Sequence, residues 1–175
     1  MHSSVTPIPI GLNEDSQLSP MTNARARESK EEKMLLNFKP DRRERIDLYK
    51  LLKDETYTVV ERYAKRWQSA QALTRHYETI SKYKWVLCPR GAGEDTHRLW
   101  EALYLGSIPV VLKSPLSSLH KGLPIIELDS WSTLSLSLLR EKSTNISSDR
   151  AKAFMGYWKE KLSTEKKNLK IGEKV

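Results

Sequence analysis

The chain has 175 residues, with 30 Lys and Arg against 22 Asp and Glu, a formal charge of +8 and a pI of about 9.5. That length suits one domain with a sizeable core. A lone cysteine, Cys88, excludes an internal disulfide framework and a multi-cysteine zinc site, and no apolar run nears the roughly 18 residues of a membrane helix.

In chain order, Met1 to Pro9 lack the basic and apolar regions of a signal peptide. Asn13 to Glu32 is polar without apolar periodicity, so residues 1–32 are expected to be largely loop. Met34 to Phe38 reads as a buried strand closed by Pro40, after which Asp41 can cap a helix carrying Ile46, Tyr49 and Leu52. Tyr57 to Val60 is a second strand. Leu73, Tyr77 and Ile80, spaced four and three apart, predict an amphipathic helix over Gln71 to Lys82. Trp85 to Cys88 is a strand stopped by Pro89, Thr96 to Leu105 a helix broken by Gly106, and Ile108 to Leu112 and Pro124 to Leu128 are further strands. Ser132 to Leu138 alternates Ser and Leu, a strand period, but Asp129 and Ser130 look like N-caps, which favours a helix. Ala151, Phe154, Met155, Trp158 and Leu162 mark a final helix, and residues 164–175 form a lysine-rich tail expected to be frayed and solvated. Strands alternating with helices imply an α/β fold over residues 33–163, a parallel sheet with helices on both faces.

The informative stretch is Trp85 to Lys113: a strand, a glycine-containing turn, a helix, a short turn and a strand. In open α/β sheets ligands sit beyond the carboxyl ends of strands, where such turns lie. Gly91-Ala92-Gly93 lets backbone approach a ligand closely and permits φ angles that larger residues resist. With Asp95 or Thr96 capping the helix, its first N–H groups and dipole suit a phosphate or diphosphate, and Arg90 adds a bidentate charge. Thr96 stands where a dinucleotide fingerprint has its third glycine, and no Gly-Lys-Ser/Thr follows, so neither a complete Rossmann fingerprint nor a Walker A loop is present.

His97, Arg98 and Glu101 share one helix face. A carboxylate there can accept both hydroxyls of a ribose while Arg98 pairs with phosphate. The same pattern also describes an ordinary polar face with an i, i+3 ion pair, and Trp100 and Tyr104 read as packing. Metal is not expected: Glu127-Leu128-Asp129 reads as a strand end and an N-cap, and His2, His76 and His120 have no partner at ligand spacing. Cys88 reads as a small buried hydrophobe.

Cys88-Pro89-Arg90-Gly91-x-Gly93, then Arg98-Leu99-Trp100-Glu101-Ala102-Leu103, then Gly106-Ser107-Ile108-Pro109-Val110-Val111 resembles the C-terminal half of the exostosin-like (family 47) glycosyltransferases. Leu123-Pro124 and Asp129-x-Trp131 fit the family's continuation, and the likeness extends weakly upstream to Met34–Phe38 and Thr6–Gly11. The resemblance implies the Rossmann-like C-terminal domain of a GT-B enzyme. Arg90, Gly91, Ala92, Gly93, Asp95 and Thr96 would hold the diphosphate of a nucleoside-diphosphate sugar, Arg98 would assist beside His97, and Glu101 would bind the ribose. The implied reaction is sugar transfer to a hydroxyl of a glycan or protein acceptor, with no cofactor beyond the donor. The family also implies the Golgi lumen, although the chain carries no signal or anchor. Only 84 residues precede Trp85, too few for an acceptor-binding domain, so the chain reads as a donor-binding half that needs an N-terminal domain or a partner subunit.

Two other readings stay open. One is a non-catalytic protein that binds nucleotide sugars or another protein. The other is a nucleic-acid-binding module, whose best basic cluster, Arg42, Arg43 and Arg45, is interrupted by Glu44 and matches no binding motif.

Overall fold

The computed structural model describes residues 7–12, 29–61 and 69–172. Much of the polar stretch after Asn13 lies outside them. Five strands form one parallel sheet among the described residues: β1 (Glu31–Leu36), β2 (Thr58–Val60), β3 (Tyr83–Leu87), β4 (Ile108–Leu112) and β5 (Ile126–Leu128), in the order β2-β1-β3-β4-β5. The helices are α1 (Arg43–Leu52), α2 (Ala70–Lys82), α3 (His97–Tyr104), α4 (Ser117–His120), α5 (Leu136–Thr144) and α6 (Met155–Gly172). The α/β architecture with helices on both faces is the one the alternating pattern predicts.

The strand period of two divides the core between the faces of the sheet. Leu35, Val86 and Val111 point to one face, where Leu73, Tyr77 and Ile80 of α2 and Leu99, Trp100 and Leu103 of α3 cover them. Met34, Leu36, Trp85, Leu87 and Val110 point to the other, packed on Leu48 and Leu52 of α1 and Leu139 of α5. Burial on both faces explains why β1, β3 and β4 read as continuous apolar runs. Ser69 starts α2 by accepting a hydrogen bond from the Ala72 N–H at 3.1 Å. Gly106, at φ +75°, ends α3, a left-handed position that glycine occupies without strain.

Three local expectations change. The segment after Asp129 is not one helix but a 3-10 turn (Trp131–Thr133) followed by α5. Two serines divide it: Ser130 accepts from the Ser132 N–H and Ser135 from the Leu138 N–H, so each starts its own element. Asp129 caps neither and pairs with Lys113 at 2.8 Å. Asp41 does not cap α1, whose N-cap position is Arg42 with no side-chain cap; its Oδ1 lies 3.7 Å from Arg45 Nη1 instead. The lysine-rich tail continues α6 as helix to Gly172. Of the predicted apolar stripe only Trp158 is buried, whereas Ala151, Phe154, Met155 and Leu162 are exposed. No helix among the described residues is long and apolar enough to cross a membrane.

Candidate functional site

The strand order sets where a ligand can enter. β1 and β3 are neighbours, but the chain leaves β1 through α1 on one face and leaves β3 through α3 on the other. Diverging connections open a crevice at the carboxyl ends of the two strands, the usual ligand position in open α/β sheets. Asn37 follows β1 there, Cys88 to Arg90 follow β3, and Lys113 to Pro115 follow β4.

Two adjoining clefts occupy this edge. One, of about 280 Å³, is lined by Cys88, Val111 to Pro115 and Trp131 together with Glu44, Arg90 and Glu94. The other, of about 470 Å³, is lined by Arg42, Arg45 and the whole turn from Arg90 to Glu94, again with Glu44. Arg90 stands between them. Its Nε donates to Glu44 Oε2 at 2.6 Å and its Nη1 to Glu94 Oε1 at 3.2 Å, which holds the guanidinium above its ordinary pKa. The Arg90 side chain is nevertheless 58% exposed.

Arg45 fastens the turn from below. Its Nε donates to the Arg90 carbonyl at 2.8 Å and its Nη2 to the Pro89 carbonyl at 3.2 Å, and its side chain is only 16% exposed. A Cβ on Gly91 would stand 3.2 Å from that Nη2, tight but against the movable end of a side chain. A Cβ on Gly93 would meet nothing closer than the Asp95 carbonyl at 3.9 Å. Neither glycine has a positive φ; among the described residues those are Gly11, Gly106 and Gly122. The expectation of special φ angles in this turn is therefore corrected. The fold tolerates a side chain at Gly93, and what glycine adds there is open backbone toward the cleft.

The first turn of α3 also differs from expectation. Thr96 occupies the N-cap position without a side-chain cap, and Asp95 does not cap either. Asp95 Oδ1 accepts from Trp100 Nε1 and Oδ2 from the Ile10 N–H, both at 2.7 Å. His97 Nδ1 donates to the Gly11 carbonyl at 2.8 Å, a carbonyl being an acceptor alone. Asp95 and His97 thus hold the segment 7–12 against the start of α3. Arg98 is half-buried and its Nη1 donates to Asn37 Oδ1, joining α3 to the end of β1 across the crevice.

Glu101 lies deeper. Its side chain is fully buried, and its Oε2 is 3.1 Å from Nε2 of the equally buried His76 on α2. Neither cleft is lined by Glu101. His76 lacks a partner in sequence spacing because the partner is on another helix. His120 is similar, with Nδ1 2.6 Å from Glu127 Oε1, which also accepts from Ser117 Oγ at 2.6 Å. Among the described residues no three His, Cys, Asp or Glu side chains gather as a metal site. Cys88 is buried as expected; loss of hydration pushes its thiol up to about 12, with Glu101 adding to the rise and Arg98 and Arg45 opposing it.

Arg90, Gly91, Ala92 and Gly93 are therefore gathered around the clefts, Asp95, Thr96, His97 and Arg98 follow in the chain without lining either, and Glu101 is set apart in the core. Sequence reasoning missed Asn37, Glu44 and Arg45. The available signal was the run Arg42-Arg43-Glu44-Arg45 directly after a strand and Pro40, weighed above only as a nucleic-acid surface.

Residues 21–171 match the family model of the RXYLT1 C-terminal domain. The chain belongs to this family, an exostosin-like family 47 glycosyltransferase domain. No curated protein matches it.

Proposed function

We propose that this domain binds a nucleoside-diphosphate sugar across the two clefts and presents it for transfer of the sugar to an acceptor hydroxyl. The observation that carries the reading is the turn Arg90 to Glu94. Its backbone is left open at Gly93, Arg45 staples the Pro89 and Arg90 carbonyls where it begins, and its arginine reaches both clefts. Rigid support beneath and open backbone above suit close approach of a phosphate. Arg90, with Gly91, Ala92 and Gly93, takes the diphosphate, and the N–H groups opening α3 at Thr96 and His97 face the same charge. Arg98, beside Asn37, supports it from the β1 side.

The guanidinium's role is electrostatic: negative charge grows on the leaving diphosphate as the glycosidic bond breaks, and a fixed cation there lowers the barrier. A ribose contact from Glu101, implied by the family resemblance, would require its carboxylate to turn away from His76. The acceptor is a glycan or protein hydroxyl, and the family makes the Golgi lumen the proposed place of work.

A thermal-shift screen over UDP-, GDP- and CMP-sugars tests the reading, because a ligand that binds the folded state raises the melting temperature. One donor class is expected to stabilise the protein, and Arg90→Ala should weaken its affinity by about ten- to a hundredfold, the worth of a charge-assisted contact. Silence across the panel, or unchanged affinity in Arg90→Ala, refutes it. Consumption of the donor in the presence of glycan acceptors separates a transferase from a domain that binds without turnover.

A further inference from the structure

Arg90 is already engaged in the absence of any ligand. Glu44, from the first turn of α1, and Glu94, from the β3–α3 turn, hold two edges of its guanidinium at 2.6 and 3.2 Å. All three side chains line both clefts, so this bridge is the partition between them. The other cations at this edge are differently placed. Arg42 has no carboxylate within ion-pair distance among the described residues, Arg45 is spent on the Pro89 and Arg90 carbonyls, and Lys113 pairs with Asp129. An anion bridging the clefts has to take Arg90 from the two carboxylates.

Resting on the diphosphate reading above, we infer that Glu44 is a resident carboxylate that competes with the ligand for Arg90 and sets the charge a ligand needs. Exposed ion pairs are weak, so the bridge yields to a strong competitor. A diphosphate can replace Glu44 at Arg90 while its second phosphate reaches Arg42 on one side or Lys113 on the other. A single phosphate meets Arg90 alone and faces the repulsion of Glu94. Displacing Glu44 costs either ligand the same ion pair, and only a diphosphate recovers that cost through a second cation, bridging the two clefts as it does so.

The test uses the whole chain and two ligands without a base, inorganic pyrophosphate and inorganic phosphate, titrated by calorimetry at fixed salt. Glu44→Gln keeps the shape and removes the charge. It should tighten pyrophosphate and phosphate alike, each about fivefold, the worth of one exposed ion pair. In an Arg90→Ala background the same substitution should change neither affinity, because its competitor's target is gone. An equal gain in that background would mean a general field effect and overturn the inference. So would an unchanged Glu44→Gln when wild type binds pyrophosphate and Arg90→Ala does not, a result that leaves the diphosphate reading standing. No pyrophosphate binding by wild type or by Glu44→Gln overturns both together.

Discussion

Two pairings of a basic side chain with a carboxyl group flank α3, and they differ in burial and in exchangeability. His76 and Glu101 meet between α2 and α3 with both side chains buried, whereas Glu44, Arg90 and Glu94 meet at the open edge of the sheet. Water decides what each is for. In the core no solvent can replace a missing partner, so the pair is held and its loss is expensive. At the edge, water and ions can substitute at little cost, so the bridge can be exchanged for a ligand. The fold uses one as a rivet and leaves the other open to exchange.

The most direct way to break this contrast is Glu101→Ala. It should cost about 3 kcal/mol, as for other buried pairs that lose one member, read as a shift of the urea midpoint with the slope unchanged. A variant as stable as wild type would mean the core pair is as dispensable as the surface one. Arg45→Ala comes next, at about 1–2 kcal/mol from two charged donors removed from carbonyls, and Arg45→Lys should not restore it because a single ammonium cannot span both. Gly93→Ala should change stability by less than about 0.5 kcal/mol, since its Cβ meets no clash, yet weaken donor affinity several-fold by calorimetry. Full affinity in that variant would remove the argument from open backbone.

The smallest effect is expected at a third, solvent-exposed group. Arg140 first and Lys84 second hold the Glu32 carboxyl below its ordinary value of 4.5. The folded pKa being depressed, any stabilisation from this carboxylate is present above the ordinary carboxylate range and fades as pH falls through the folded value. A carbon-detected NMR titration should find the midpoint below 4.5 in wild type and nearer to it in Arg140→Ala.

Much of the architecture was legible because burial on both faces writes itself as unbroken apolar runs. Met34–Phe38, Trp85–Cys88 and Ile108–Leu112 announce strands whatever their neighbours. The order of those strands was not legible, since nothing in a run of apolar residues states which other run lies beside it. Ser130 and Ser135 look alike in sequence, and only the backbone shows that each starts a separate element. The site divides similarly. Arg90 and its glycines stand in one contiguous motif, so spacing alone revealed them. Arg45 acquires its role by reaching carbonyls 44 and 45 residues away, and Glu101 meets a histidine 25 residues earlier, contacts that only docked helices create.

The two edges of the sheet have a consequence for how the protein behaves in a crowded solution. β2 and β5 are three residues each, and Glu61 and Asp129 directly follow them. An outside strand that tried to extend the sheet would find a ledge too short to register against, ending in charged side chains: Glu61 after β2 and the Lys113–Asp129 pair after β5. The interior strands are the apolar, aggregation-prone ones, and they are walled in on both sides by these short neighbours. Among the described residues the short edge strands thus limit strand addition, alongside the self-repulsion of a +8 chain.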